Sequence, residues 1–168
     1  MTGQVLLRPA LSTDLPFLSD MLFQSVYWRA LAQGVALEKT PGLAAPGVMN
    51  ALDNWMERSG DFGLIAVVNG QPLGAAWYRF YTREMSIRGY LADDIPTLVI
   101  AVDPNSRRKG IGKLLLDGLL ESAKCQGLSK VSLMVSKDNF ALHLYQQVGF
   151  RPVVESTDSL LMVKELNS

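Results

Sequence analysis

Apolar residues recur along this chain with two different periods. Leu15, Leu18, Met21, Leu22 and Val26 stand three or four positions apart, with Ser12, Thr13 and Asp14 ahead of them as N-cap residues. The run STDLPFLSDMLFQSVYWRALA therefore predicts an amphipathic helix. Before it, Val5 to Arg8 predict a short strand that Pro9 ends or confines to a sheet edge. After it, the Gly-, Pro- and Ala-rich stretch QGVALEKTPGLAAPG predicts a loop. Val48, Ala51, Leu52, Trp55 and Met56 then predict a second helix that stops near Ser59-Gly60.

The pattern next shifts to strands. FGLIAVV (62–68) and LGAAWYRFY (73–81) flank Asn69-Gly70-Gln71-Pro72, and Asn-Gly supplies the positive φ angles of a hairpin turn. A polar connection, TREMSIRGYLADDIP, leads to the short apolar run TLVIAV, a buried strand. Helical spacing returns at Ile111, Leu114, Leu115, Leu119 and Ala123, with Gly127 placed as a C-terminal cap. VSLMV (131–135) is another strand. Asp138 or Asn139 caps a short helix through Leu142, Tyr145 and Val148 that stops at Gly149, and FRPVV and SLLMVKEL close the chain as strands. The order β, α, α, β, β, β, α, β, α, β, β predicts an α/β fold around one sheet, with a strand, helix, strand crossover at its centre.

Composition narrows the chemistry. The 168 residues fit a single domain, 1–168. Lys plus Arg and Asp plus Glu number 16 each, so no global field draws the chain to nucleic acid or an anionic membrane, and any basic site is local. One Cys (Cys125) and one His (His143) leave no intramolecular disulfide and no material for a cysteine or histidine metal centre. The start MTGQVLLRPA lacks a charged leader with an apolar core, and no window holds 18 uninterrupted apolar residues. A soluble, cytoplasmic protein is the expectation.

One stretch stands out. SRRKGIGKLLL (106–116) places three cations and two glycines where the TLVIAV strand turns into a helix. Such a junction presents unpaired backbone N–H groups backed by the positive end of the helix dipole, and it attracts phosphate. The glycines permit close approach, and Arg107, Arg108 and Lys109 add charge-assisted bonds. A P-loop reading fails because Arg107 stands where its first glycine belongs and Leu114 replaces the magnesium-binding hydroxyl. A dinucleotide fingerprint fails because Leu115 occupies the third small position. A third pattern, Arg/Gln-x-x-Gly-x-Gly/Ala after a strand ending in Val-x-Pro, is met by Val102-Asp103-Pro104 followed by Arg107-Arg108-Lys109-Gly110-Ile111-Gly112.

On these residues the chain resembles the GNAT superfamily of N-acetyltransferases. The downstream run Asn139-Phe140-Ala141-Leu142-His143-Leu144-Tyr145-Gln146-Gln147-Val148-Gly149-Phe150 is similar to the Asn, Ala, Leu-Tyr, Gly-Phe helix and turn of that family. The close resemblance covers roughly 97–152, with looser agreement from Val5 onward. It implies a single-domain GNAT-like fold: a mixed, mostly antiparallel sheet of about six to seven strands flanked by about four helices, with splayed central parallel strands. It further implies that backbone amides from Arg107, Arg108, Lys109, Gly110, Ile111 and Gly112 to Lys113 cradle the pyrophosphate of acetyl-CoA. Ile100, Ala101 and Val102 would bond the pantetheine arm through main-chain groups, and Asn139 would contact the arm from the other side. Tyr145 would sit near the thioester sulfur. With an ordinary pKa of about 10 it stays protonated and can act as the acid for the leaving thiolate. The resemblance also admits a homodimer.

Other residues carry two readings each. His143 lies two residues from Tyr145 on one helix, points elsewhere and is read as structural or exposed. Cys125 is read as a plain helix residue. Trp77, Phe80 and Tyr81 either line an acceptor pocket or pack. TLVIAV contains no carboxylate, so Glu84, Asp93 and Asp94 in the preceding connection, or water, are the candidates for the general base. By analogy the acceptor walls come from 27–46 and 82–96. The acceptor stays open among small amines, amino acids, antibiotics, peptide N-termini and protein lysines. Transfer of an acetyl or short acyl group to an amine is the leading expectation, a catalytically silent CoA-binding sensor the alternative, and a nucleotide binder a third.

Overall fold

A computed structural model describes residues 3–166. Seven strands form one sheet in the order β1-β2-β3-β4-β5-β7-β6: β1 Leu6–Pro9, β2 Phe62–Val68, β3 Gln71–Arg79, β4 Thr97–Val102, β5 Lys130–Ser136, β6 Arg151–Glu155 and β7 Ser159–Glu165. All neighbours are antiparallel except β4 and β5. The α-helices are α1 Leu15–Val26, α2 Trp28–Ala32, α3 Lys39–Leu43, α4 Ile111–Cys125 and α5 Ala141–Gln147. The expected mixed, mostly antiparallel sheet is present, and the hairpin turns at Asn69 (φ 50°) and Gly70 (φ 79°).

The sheet buries both faces. On one, Leu115, Leu116 and Leu119 of α4 and Tyr145 of α5 pack on Tyr78, Leu98, Leu133 and Met162. On the other, Leu18, Met21 and Leu22 of α1 pack on Ile65, Ala75, Trp77 and Ala101. Each such fully buried leucine contributes roughly 1.5–3 kcal/mol. The two central parallel strands, sandwiched between these layers, are where the sheet opens.

The helix expected from Val48 to Met56 does not form. Only a single 3-10 turn, Met49–Ala51, survives, followed by turns with Asn54 (φ 51°) and Met56 (φ 69°) in the left-handed region. Buried donors from β3 capture the carbonyls a helix would use: Arg79 donates to the carbonyls of Asn50 (3.2 Å) and Asn54 (3.3 Å), and Trp77 Nε1 to that of Ala51 (3.2 Å). Asp61, paired with Arg79 at 2.8 Å in a buried ion pair, accepts the Met56 N–H (2.9 Å). The spacing of Ala51, Leu52 and Trp55 reflects their common burial against Trp77, achieved without a helix.

The first helix also breaks, at Tyr27 (φ −104°, ψ 20°), into α1 and α2. Tyr27 stacks on Phe23 (5.1 Å between ring centroids) and its hydroxyl donates to the Gly42 carbonyl at 2.7 Å. That bond ties α1 to α3, a short helix within the stretch expected to be a loop. No helix among the described residues is long and apolar enough to cross a membrane.

Candidate active site

The sheet splits between β4 and β5. Only one residue pair joins these strands, Thr97 with Ser132, and beyond it they diverge. The Ser132 N–H donates to the Pro96 carbonyl (3.0 Å), whereas the Asp103 N–H turns the other way, to Leu73 (2.8 Å). Main-chain direction alternates along a strand, so the N–H and C=O of Ile100 face the gap rather than β3. A cavity of about 410 Å³ occupies the opening, within the range of small-molecule sites.

A wedge holds the apex of the split. Gly89 (φ 102°) accepts from the Ser132 hydroxyl (2.7 Å) and the Thr97 hydroxyl (3.3 Å), and both side chains are completely buried. A Cβ at Gly89 would lie 2.9 Å from the Met134 nitrogen and 2.9 Å from Thr97 Cγ2. Neither the β5 backbone nor the buried threonine can yield easily. Gly89→Ala is therefore expected to destabilise the fold by about 3 kcal/mol, combining left-handed strain with overpacking. Urea unfolding of the two proteins measures it, and an unchanged midpoint would show that Gly89 is no wedge.

The loop after β4 takes a turn geometry that suits an anion. Arg108 (φ 61°) and Gly110 (φ 81°) are left-handed, a sequence of turns that points successive N–H groups to one side. Among the described residues, no protein acceptor takes the backbone N–H of any residue from Arg107 to Lys113; the Leu114 N–H is the first to close a helical bond, onto Gly110. The dipole of α4, a 15-residue helix, stands behind them.

Most of the residues selected from sequence converge here. Ile100, Ala101, Val102, Arg107, Arg108, Gly110, Gly112, Lys113, Asn139 and Tyr145 line the cavity. Lys109 and Ile111 do not: Lys109 Nζ donates to the Asn105 carbonyl (3.2 Å), and Ile111 is buried in the core beneath α4. Arg107 is a brace as well as a loop residue. Its Nε donates to the Val102 carbonyl (3.1 Å) and its guanidinium lies 5.7 Å above the Phe140 ring. Asn139 Oδ1 accepts the Ala141 N–H (2.8 Å), which fixes its side chain at the start of α5.

Tyr145 sits on the opposite wall. Its ring packs edge-on against Phe150 (5.8 Å), and burial pushes its phenol well above the ordinary tyrosine range. The hydroxyl has no protein partner among the described residues, and Tyr145 lines the cavity. His143 and Cys125 are exposed and lie off the cavity.

From the stretches 27–46 and 82–96, Trp28 of α2 and Ile87 and Arg88 line the cavity, and Gln24, Ser25 and Val26 of α1, outside both stretches and missed in the sequence, line it too. Arg29, next to Trp28, pairs with Asp138 at 2.6 Å and so links α2 to the β5–α5 turn. Trp77, Phe80 and Tyr81 are packing residues and line none of it. Glu84, Asp93 and Asp94 are likewise outside, with Asp93 accepting from the Tyr90 hydroxyl. Among the described residues the cavity wall contains no Asp, Glu or His.

Comparison with known sequences agrees with this geometry. The sequence model of the acetyltransferase (GNAT) family matches residues 28–150. The chain belongs to this family. A mycothiol acetyltransferase of Rhodococcus jostii is 31% identical over 102 residues, covering 57% of this chain and 31% of that protein. A ribosomal-protein-alanine N-acetyltransferase of Salmonella typhimurium is 33% identical over 66 residues, covering 39% of this chain and 45% of the relative. The match thus spans less than half the length of either relative. Among solved structures, the ribosomal-protein-alanine N-acetyltransferase of Brucella melitensis superposes with a TM-score of 0.67 at 25% identity, covering 95% of this chain and 99% of that one. The PaiA N-acetyltransferase of Thermoplasma acidophilum, solved in complex with coenzyme A, shares the fold of this GNAT member at a TM-score of 0.66 and 17% identity, covering 96% and 99%.

Proposed function

We propose that residues 1–168 act as one acetyl-CoA-dependent N-acetyltransferase domain that moves an acetyl group directly to an amine. The observation that carries this reading is the run of free N–H groups from Arg107 to Lys113 at the mouth of a split sheet whose far wall bears Tyr145. The loop suits a pyrophosphate, and the gap beside Ile100 suits an extended amide-bearing arm that bonds like a partial strand.

Acetyl-CoA, when bound, supplies the thioester. The amine nitrogen forms a bond to the carbonyl carbon as the carbon–sulfur bond breaks, and negative charge gathers on the carbonyl oxygen and then the sulfur. The Ile100 N–H faces the gap and offers a fixed dipole to that oxygen. Tyr145, kept protonated by burial, gives its proton to the sulfur and regains one from water before the next turnover. With no carboxylate on the wall, the amine proton leaves to water. An acceptor that is already a neutral amine needs no further base.

Free-thiol release from acetyl-CoA across pooled amines, amino acids, aminoglycosides and peptides tests the reading. Acceptor-dependent release is expected. Its absence in every pool, with CoA still raising the melting temperature, would replace transfer with CoA sensing.

A further inference from the structure

The charged side chains that line the cavity are all cations. Arg107, Arg108 and Lys113 belong to the loop and helix that follow β4. Arg88 is separate, on the connection before β4 and next to Gly89 at the apex of the split. The phosphate loop continues β4, whereas Arg88 reaches Ser159, which pairs with Ser136 at the end of β5, so the two groups stand on opposite sides of the split. Arg88 therefore serves a different part of the bound molecules from the phosphate loop.

Its surroundings offer it little. One guanidinium nitrogen donates to the Ser159 hydroxyl at 3.4 Å, and among the described residues no carboxylate pairs with it. The neighbouring wall is apolar. Ile87 and Val48 both pack against the core cluster that holds Ala51 and Leu22, and the Asn50 side chain donates to the Ser86 carbonyl (3.2 Å), tying the two segments together. Trp28 also lines the cavity.

Arg88 is exposed, and an acceptor whose single charge is an ammonium would meet it as an unfavourable like charge. A carboxylate on the acceptor removes that penalty and fits the planar, forked guanidinium. We infer that the acceptor is an amine with an apolar body and a carboxylate, the carboxylate bound by Arg88 beside Ser159 and the body by Ile87, Val48, Ala51 and Trp28. This inference rests on the transferase reading above. It makes Arg88 a specificity residue, and the transfer step is unaltered.

The test pairs leucine, methionine and phenylalanine with their amides and with the corresponding decarboxylated amines. Thiol release is measured at saturating acetyl-CoA, and binding of each compound is titrated in the presence of CoA. The wild type is expected to favour the amino acids over the amides by about tenfold in kcat/KM, as befits a charge-assisted pair at a partly exposed site. Arg88→Gln is expected to erase the preference, and Arg88→Glu to invert it toward the amides and amines. Equal use of acids and amides, a preference that survives Arg88→Gln, or no binding of any amino acid to the CoA complex would overturn the inference. Titration of CoA alone separates the two claims. Failure to bind CoA sinks the transferase reading, whereas CoA binding without carboxylate preference sinks the role of Arg88 only.

Discussion

Gly112→Leu is expected to raise the Kd for CoA about a hundredfold, since blocking two charge-assisted hydrogen bonds to phosphate forfeits roughly 1.5 kcal/mol each. Gly112 lies in the first turn of α4 and lines the cavity, and its N–H is among those with no protein acceptor. A Cβ there stands 3.8 Å from Val102 Cγ2 and 3.8 Å from Leu144 Cδ2, an ordinary contact. The leucine branch beyond it enters the space the ligand needs. Glycine costs a helix about 1 kcal/mol relative to good helix formers, so the variant is expected to keep its melting temperature. Gly110 is a poorer choice for the test because its φ of 81° strains any other L residue even without ligand. Calorimetric titration of CoA into folded Gly112→Leu decides the matter, and an unaltered Kd would remove the loop from the coenzyme site.

Tyr145→Phe is expected to lower kcat about a hundredfold or more, the ordinary contribution of a positioned general acid, and to leave the Kd for acetyl-CoA nearly unchanged. The ring contact with Phe150 survives the substitution, and the lost hydroxyl gives up no protein hydrogen bond among the described residues. Stability should accordingly be retained. The pH profile carries a second signature. Burial raises the phenol's pKa, so its protonated form persists through the ordinary tyrosine range, and kcat in the wild type is expected to show no alkaline fall below about pH 10. A loss of rate centred near the ordinary tyrosine pKa, or a Tyr145→Phe enzyme of full activity, would transfer the proton to water or another group.

Local signals were readable where local chemistry decides the structure. Asn69-Gly70 set the hairpin, and Gly127 and Gly149 stand in the left-handed region just past α4 and α5. The β4, loop and α4 unit follows from an apolar run, a Pro and two glycines in one short stretch. The residues proposed for the site could be picked out for the same reason, since the Arg107–Lys113 loop and the Tyr145 helix are each one continuous stretch of sequence. What distant residues decide was hidden. Arg79 and Trp77, far along the chain, claim the carbonyls of 50–54 and unmake a helix whose periodicity is otherwise correct. The individual wall residues were hidden likewise: Trp28 and Arg88 fall within the stretches 27–46 and 82–96, but they share no spacing with each other or with Gln24, which lies outside both. The Gly89 wedge brings Arg88 to the split, and no pattern near Gly89 announces that its partners are Thr97 and Ser132. Lys109 carries the same charge as its neighbours, yet its side chain turns to Asn105 instead of the cavity.

In the proposed enzyme the Arg107–Lys113 loop holds a pyrophosphate while the split sheet holds the arm attached to it. The most direct test titrates CoA and pantetheine, which lacks the nucleotide and both bridging phosphates, into the wild-type protein. We expect CoA to bind about a hundredfold more tightly than pantetheine, the difference vanishing in Gly112→Leu. Equal binding of the two compounds by the wild type would contradict the claim.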